Sequence, residues 1–491
     1  MLACAEGKSQ RDAWRLGFLA GLSFWLATLS WLLEIPVTGF PILGWIALSA
    51  FLAIYPATWL WLLAGQLKHD SWSQRVRGSL LGAAAWVALE MIRARFLSGF
   101  PWDTIGSSQW QLTPLIQIAS VTSVYGVSFL VVWTSLSLLS AVRCIIRFPT
   151  TRYIWMGELF LPLAAVLLLF TNGISQMRRV TETDSTLRVT SIQPAVPQTM
   201  IWDSSENTNR FNQLIALTEQ ALTNKTDLLL WPEAALPELT DESFAVITNL
   251  VHRHAVWMML NTDDVIEKAS PNRSDVFNAA LLLNPDGRFA ASYHKRQLVI
   301  FGEYIPLVEA LPFIKWFTPI TGSYTSGKRI TPFSMDRINA APLICFEDTF
   351  PHHVRDHVDD TTDLLVNLTN DGWFGEKASQ WQHLSSAAFR AVENRIPLLR
   401  SCNTGVTCWI DEHGRLREVL RDKNGSEYTA GIATWEIPIA RRDTRAQTFY
   451  NRHGDVFGWA CVGVSALLLL GKFKRARSGS TESSKAEVEN V

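Results

Sequence analysis

The sequence predicts a chain in two parts, a helical bundle of several membrane spans followed by a water-soluble α/β domain. Apolar residues crowd residues 12–172 and again 455–470, whereas the stretch between them alternates short apolar runs with polar ones. The whole chain is 48% hydrophobic, only 18% charged, and contains 21 Trp. Such a composition is unusual for a soluble protein, and the length allows two or three domains.

Six segments are apolar over the roughly 20 residues that a membrane-spanning helix requires. The first is too long and too rich in Trp for the core of a signal peptide, and it lacks a cleavage site of small residues. The third is the weakest, because Glu90, Arg93 and Arg95 interrupt its end. For Glu90 we expect a pairing with Arg93, one helical turn further on, rather than a functional role. The candidate spans are residues 12–34, 41–66, 78–97, 117–142, 153–172 and 455–471.

Lys and Arg cluster before span one, between spans two and three, between spans four and five, and after span six. Odd–even counting puts all four clusters on one side, and short basic loops stay in the cytoplasm. A bundle over 12–175 and a last span over 455–471 therefore leave residues 1–11 and 472–491 in the cytoplasm and the domain between outside it. The tail 472–491 is rich in Ser, Glu and Lys, which predicts disorder. The aromatic loop 98–111 reads as an interfacial segment or as an ordinary connection.

The outer domain, residues 186–440, has the pattern of mixed α/β layers. Short apolar runs that end in polar residues predict buried strands, and the longer runs 279–295 and 406–416 predict hairpins. Residues 206–223 and 377–395 have the spacing of amphipathic helices. The predicted strands are residues 186–193, 227–233, 256–261, 341–347 and 363–371.

Three of these strands end in a group that can serve nucleophilic catalysis. Glu233 follows the run LLLWP, Lys295 ends the second strand of the first hairpin, and Cys345 ends the run PLIC. Alone, each is more often a cap, a solvated lysine or a packed cysteine. Together they complement one another, because Glu233 can take the thiol proton while Lys295 stabilises the thiolate and a later oxyanion. A backbone N–H near Phe346 is a candidate second oxyanion donor.

The segments around these residues resemble the nitrilase superfamily and, more closely, its membrane-embedded branch, the apolipoprotein N-acyltransferases. The resemblance covers nearly the whole chain and implies a multi-span helical bundle joined to a nitrilase-like αββα sandwich. The matching stretches are LGFLAGLSFWLATLSW (16–31), SGFPWDTIGSSQ (98–109), IQPAVPQTMIWD (192–203), LLLWPEAALP (228–237), YHKRQLVIFGEYIP (293–306), LICFED (343–348), NLTNDGWFG (367–375) and RSCNTGVTCWIDEHG (400–414).

The resemblance places the catalytic triad of the family on the three strand-end residues. It also implies that Glu303 and Glu347 support the active site and that Trp202 lies in a loop near the lipid entrance. Where the family commonly has Tyr after the nucleophile, this chain has Phe346, which keeps the ring and loses the hydroxyl. The family usually has eight spans and this chain shows six, so either its true start lies upstream of Met1 or this branch lacks the initial hairpin.

The remaining conspicuous residues have less definite readings. Trp373 and Phe374 either line a lipid pocket or simply pack. Cys402 and Cys408 either form a disulfide or are two small buried residues. No Cys or His pattern has metal-ligand spacing, so the sequence predicts neither a metal site nor a cofactor. The formal net charge of -1 gives no reason to expect a nucleic-acid partner.

The resemblance implies an enzyme of the bacterial inner membrane with its catalytic domain on the periplasmic side. It implies ping-pong transfer of a fatty acyl chain, through a Cys thioester, from a phospholipid to the N-terminal amine of a diacylated apolipoprotein, as the final step of lipoprotein maturation. A membrane-anchored nitrilase-like amidase would use the same triad with water as acceptor, but a soluble amide needs no bundle. A non-catalytic scaffold would have no need of an intact triad.

Overall fold

The computed structural model begins with a bundle of helices, as the apolar segments predict. The described residues are 4, 7–35, 41–64, 71–147, 156–179, 182–267, 274–306, 323–376 and 379–488, with side chains described as far as residue 472. The helices of the bundle are α1 (Gln10–Thr28), α2 (Pro41–Leu63), α3 (Trp72–Arg93), α4 (Thr113–Ile116), α5 (Ala119–Thr122), α6 (Val124–Arg147) and α7 (Met156–Met177).

Three of the described helices, α2, α6 and α7, are long and apolar enough to cross a membrane. Both α1 and α3 carry charged residues that lower their hydropathy, so the spans predicted at 12–34 and 78–97 stay predictions. Close packing nevertheless joins α1 to α2, because a Cβ atom at Gly17 would lie 2.7 Å from the Cα of Ala57. A buried ion pair between Arg75 and Glu158 joins α3 to α7, and buried charges in a bundle are expected to be paired in this way.

Glu90 anchors the loop that follows α3. Its carboxylate accepts hydrogen bonds from the Trp86 indole and from the backbone N–H of Ile105, both at 2.9 Å. Among the described residues Glu90 and Arg93 form no direct ion pair and interact only through their opposite charges, since the Arg93 guanidinium lies over the Trp25 ring, 4.9 Å from its centroid. The backbone N–H of Ile105, rather than the Arg93 side chain, is thus a direct partner of the Glu90 carboxylate.

The predicted span 117–142 begins later than its hydropathy suggests. The helix α6 starts at Val124, and Glu393 of the outer domain accepts hydrogen bonds from the Val124 N–H at 3.0 Å and from the Ser123 hydroxyl at 2.6 Å. A carboxylate is favourable at a helix N-terminus, where backbone N–H groups lack intrahelical partners. A contact between the two parts of the chain thus fixes where this span begins.

The outer domain contains two six-stranded sheets, with strand orders β12-β1-β2-β3-β4-β5 and β11-β10-β9-β8-β7-β6. The central strands β1, β2 and β3 of the first sheet are parallel, as are β7, β8 and β9 of the second. The strands are β1 (Thr183–Gln193), β2 (Leu228–Trp231), β3 (Trp257–Glu267), β4 (Ser274–Leu283), β5 (Phe289–His294), β6 (Phe333–Met335), β7 (Ile338–Ile344), β8 (Leu364–Thr369), β9 (Leu398–Cys402), β10 (Cys408–Ile410), β11 (Leu416–Val419) and β12 (Gly431–Ala440).

The two sheets pack face to face with helices on their outer faces, so the predicted αββα sandwich is confirmed. Side chains of both sheets, including Leu230 and Val366, form the core between them. Helices α8 (Asn207–Ala221) and α9 (Asp241–His254) cover the first sheet. On the second sheet lie α10 (Pro351–Asp356) and α11 (Ser379–Asn394).

The chain returns to the bundle through α12 (Phe449–His453) and α13 (Val456–Val488). The apolar part of α13, Val456–Lys472, corresponds to the predicted last span but is shorter than the other three. Beyond residue 472 the backbone stays helical, where the composition predicts disorder; its Ala, Glu and Lys residues favour helix. The disulfide alternative for Cys402 and Cys408 is not realised, because both thiols are free and buried.

Candidate active site

Cys345 occupies a sharp turn at the carboxyl end of β7. The strand ends at Ile344, and a short 3₁₀ helix, Cys345–Thr349, begins at once. The backbone of Cys345 has φ +52°, a left-handed conformation that costs energy for a residue with a side chain. Its side chain is buried, at 9% exposure. A strained cysteine that the fold holds at the end of a central strand has the placement expected of a nucleophile.

Lys295 and Glu233 face each other from two other strand ends of the first sheet. Lys295 follows β5 directly and is 1% exposed, and Glu233 follows β2 after one proline. The Lys295 Nζ lies 3.5 Å from Glu233 Oε1 and 2.7 Å from Glu303 Oε1. The structure therefore brings the predicted base, the predicted cation and the predicted supporting glutamate together.

Asn278 on β4 sets the orientation of the Glu233 carboxylate. Its amide Nδ2 donates to Glu233 Oε1 at 3.0 Å and to Glu303 Oε1 at 2.9 Å. The Asn278 Oδ1 in turn accepts from Asn261 at 2.6 Å. Within the described residues the other Glu233 oxygen, Oε2, has no hydrogen-bond partner. One oxygen is thus held in place, and the other is free to accept a proton.

Asn278 is not among the site residues that the sequence predicts, although its strand carries a signal. The strand β4 reads SDVFNAALLL, with one amide followed by five apolar residues, and Asn278 is buried. A buried polar side chain in an apolar strand needs hydrogen-bond partners, so it was a candidate for a role in a polar site.

The electrostatic surroundings of Cys345 keep the resting group a thiol. Burial and the nearby Glu233 carboxylate raise the pKa of Cys345 well above its usual range, and Lys295 only partly opposes them. Burial alone would lower the pKa of Lys295, but Glu303, Glu233 and Cys345 raise it well above its ordinary value. A charged ammonium beside a neutral thiol means that a base must remove the thiol proton before attack.

Glu347, which the family resemblance implies supports the site, lies within the 3₁₀ helix Cys345–Thr349, which we call the Cys345 turn. Its Oε2 accepts the Ile344 N–H at 2.9 Å, and its Oε1 accepts the Tyr293 hydroxyl and the Arg296 N–H, both at 2.8 Å. Burial by itself would raise the pKa of this fully buried carboxylate, but His353, His357 and the Ile344 N–H outweigh burial and lower it. Glu347 therefore ties the turn of Cys345 to the chain segment that follows Lys295.

Phe346 takes part in an aromatic cluster that both parts of the chain build. We define this aromatic cluster as the rings of Trp31, Phe100, Trp102, Phe346 and Phe374. The Trp102 ring lies 6.2 Å from Phe346 and 5.5 Å from Phe374, and Trp102 is 2% exposed. The loop 98–111 is therefore packed against the Cys345 turn, which favours a segment beside the outer domain over an ordinary connection.

Trp202 and Trp373 form a second aromatic contact near this cluster. Their ring centroids are 5.3 Å apart, and Trp202 is 60% exposed. Trp373 is half-buried and packs against the group of apolar side chains that includes Phe346 and Phe374. All three residues named as candidates for lipid binding, Trp202, Trp373 and Phe374, thus belong to one continuous set of aromatic contacts that includes Phe346 of the Cys345 turn.

The fold and this site define a carbon–nitrogen hydrolase domain attached to a membrane bundle, and sequence families divide the chain in the same way. The carbon-nitrogen hydrolase family model matches residues 188–445. The model of the apolipoprotein N-acyltransferase N-terminal domain matches residues 1–137. Among solved structures, a CN-hydrolase superfamily protein from Xanthomonas campestris aligns with 51% of this chain and 90% of its own, at 19% identity and a TM-score of 0.38.

Relatives that match most of the chain identify the particular family. An apolipoprotein N-acyltransferase of Geobacter metallireducens is 34% identical over 97% of this chain and 89% of its own length. Those of Vibrio cholerae and Haemophilus influenzae are 28% and 29% identical, over 97% and 75% of this chain and 92% and 70% of their own. The chain belongs to the apolipoprotein N-acyltransferase family, a family of bacterial membrane acyltransferases.

Proposed function

We propose that this chain transfers a fatty acyl chain from a phospholipid to the α-amine of a diacylglyceryl-cysteine at the N-terminus of an apolipoprotein. The observation that carries the proposal is the site itself. A neutral thiol, a carboxylate with one free oxygen and a fixed ammonium lie beside an aromatic surface that the membrane bundle helps to build. This combination suits thioester chemistry on a lipid-borne ester.

In the first half-reaction Glu233 Oε2 takes the proton of Cys345, and the sulfur attacks the carbonyl carbon of the phospholipid ester. Lys295 and the Phe346 N–H stabilise the oxyanion of the tetrahedral intermediate. The C–S bond forms, the ester C–O bond breaks, and the departing oxygen receives the proton from Glu233. The products are a lysophospholipid and an acyl thioester on Cys345.

In the second half-reaction the amine of the apolipoprotein attacks the thioester carbon. A C–N bond forms, the C–S bond breaks, and Glu233 passes the proton lost by the amine to the sulfur. We place the catalytic domain on the periplasmic side, as the basic loops predict. Both substrates are anchored in the bilayer, and holding reactants in one plane raises their effective concentration.

A labelling experiment tests the proposal. Purified protein in detergent is incubated with phospholipid that carries a radiolabelled acyl chain, and the protein-bound label is treated with neutral hydroxylamine, which cleaves thioesters. We expect a labile adduct in the wild type and in Cys461→Ala, which removes a buried thiol elsewhere, and none in Cys345→Ala or Cys345→Ser. Adding a diacylated lipopeptide should move the label onto its amine.

Two results would contradict the proposal. A hydroxylamine-labile adduct in Cys345→Ser would exclude Cys345 as the nucleophile. Release of the label as free fatty acid, at the same rate with or without the lipopeptide, would favour the hydrolase alternative.

A further inference from the structure

The side chain of Asn367 holds the backbone of the nucleophile from the neighbouring strand. Asn367 lies on β8, opposite Leu343 of β7, and is fully buried. Its Nδ2 donates to the carbonyl oxygen of Cys345 at 3.0 Å and to Asp348 Oδ2 at 2.5 Å. The Asn367 amide thus contacts both the Cys345–Phe346 peptide group and the side chain of Asp348.

That contact determines where the next N–H points. In a planar trans peptide the C=O and the N–H point in opposite directions. Fixing the carbonyl of Cys345 against Asn367 therefore aims the Phe346 N–H away from Asn367. Phe346 is the second residue of a 3₁₀ helix, and the first N–H groups of a helix have no partner within it. The strained φ of Cys345, +52°, persists only where surrounding contacts enforce it.

A buried charge cluster stands behind Asn367. We define it as Asp348, Asp371, His383 and Arg400, each at most 1% exposed at its side chain. His383 lies between the two acids, with Nε2 at 2.9 Å from Asp348 Oδ1 and Nδ1 at 2.9 Å from Asp371 Oδ1. Arg400 pairs with both acids as well. Two cations and two anions compensate one another in a region without solvent.

The cluster decides which end of the Asn367 amide faces Cys345. In the described structure Asn367 Oδ1 has no hydrogen-bond partner, whereas Nδ2 meets two acceptors. Rotating the amide by half a turn would set Oδ1 against the Asp348 carboxylate and the Cys345 carbonyl, which would repel it. Asp348 therefore keeps the donor end forward, and His383 and Arg400 keep Asp348 ionised and in place.

We propose that Asn367 is a positioning residue of the oxyanion site, which fixes the Cys345–Phe346 peptide so that its N–H faces the reacting carbonyl, and that the buried charge cluster serves to orient the Asn367 amide. The inference rests on the proposed thioester chemistry only in requiring acyl transfer to Cys345. It does not depend on the identity of the acyl donor or acceptor.

The test compares two reactions of the same thiol. Acylation by p-nitrophenyl decanoate passes through an oxyanion and is followed as a burst of p-nitrophenolate. Alkylation by iodoacetamide displaces iodide from a saturated carbon and forms no oxyanion. In Asn367→Ala we expect acylation to slow by roughly tenfold or more, since losing an oxyanion donor altogether costs about 10²–10³. The alkylation rate of Cys345 should stay within about twofold of the wild-type rate, and its dependence on pH should be unchanged.

Asn394→Ala is the matched control, because it removes another buried amide whose hydrogen bonds, to the Arg390 carbonyl at 2.9 Å and from Asn451 at 3.0 Å, do not involve the Cys345 turn. It should keep both rates. If Asn367→Ala does not fold, Asn367→Ser, which leaves a smaller void, is measured in its place. Unchanged acylation, or acylation and alkylation that fall together, would overturn the inference. Because the ester is not a phospholipid, a failure of the proposed substrates would show only in the labelling experiment.

Discussion

Raising the pH from 6.5 to 9.5 should remove a stabilising interaction that His383 makes in the folded protein. His383 is enclosed by Asp348, Asp371 and Arg400, and its other close neighbours are the uncharged rings of Trp102 and Phe374. Burial by itself would lower the pKa of His383, but the two carboxylates outweigh burial and Arg400 and raise it to about 9.

The size of the effect follows from the difference between the folded and unfolded values. A pKa of about 9 in the folded protein, against about 6.5 in the unfolded protein, adds about 3 kcal/mol to the free energy of unfolding while His383 is protonated. The folded state binds the proton more tightly, so this stabilisation is complete below pH 6.5. It is lost as the pH rises through 9. For a domain of this size, about 3 kcal/mol corresponds to a shift in Tm of roughly 6 to 12 °C.

The assay is thermal unfolding in detergent at several pH values between 6 and 10, for the wild type and for His383→Gln. The glutamine amide keeps a donor but does not titrate in this range. The difference in Tm between the two proteins should therefore be largest at pH 6.5 and shrink as the pH approaches 9.5. If the two curves stay parallel across the range, His383 is not protonated between the two acids, and the reasoning about the buried charge cluster is wrong.

Three substitutions test the other parts of the site. Glu233→Gln should slow acyl transfer by about 10²–10⁴ while shifting the alkylation profile of Cys345 to lower pH, because the Glu233 carboxylate raises the pKa of the thiol; an unchanged transfer rate would exclude Glu233 as the base. Lys295→Met should shift the same profile to higher pH and destabilise the fold by about 3–5 kcal/mol, since two buried carboxylates lose their cation; denaturant unfolding measures this, and wild-type stability would contradict it. Glu347→Gln should lower the free energy of unfolding by about 1.5–3 kcal/mol and lower kcat, because a donor replaces one of two buried acceptor oxygens. An unaltered midpoint of denaturant unfolding would show that the turn does not depend on the charge.

Local pattern predicted much of the candidate site because each of the three proposed catalytic groups lies within two residues of a strand end. The apolar runs before Glu233, Lys295 and Cys345 end where β2, β5 and β7 end, within a residue or two. Strand ends can be recognised in the sequence, since the alternation of buried and polar residues stops there. The supporting acids Glu303 and Glu347 came from the resemblance to a family, and the structure places both against the segments that hold the nucleophile and its cation.

Residues that act through distant partners were harder to predict. Asn278 reaches a glutamate 45 residues away, and the pattern of its own strand says only that it is buried. Asn367 likewise lies in an apolar buried strand, and its partners, the Cys345 carbonyl and Asp348 of the buried charge cluster, belong to other elements. Helical spacing predicts Arg93 as the partner of Glu90, whereas its hydrogen-bond donors are the Trp86 indole and an amide 15 residues away.

The sequence by itself determined the division into a membrane bundle and an αββα sandwich, the strand ends that carry Glu233, Lys295 and Cys345, and the family. Which residues a helix or strand buries depends on the spacing of its apolar residues, and that spacing can be read from neighbouring positions in the sequence. Only the tertiary structure decided which oxygen of Glu233 is free, which way the Asn367 amide faces, and how the loop of Trp102 meets Phe346. Those features depend on the direction of hydrogen bonds and ring contacts between segments far apart in the chain, and such directions exist only once the segments are packed together.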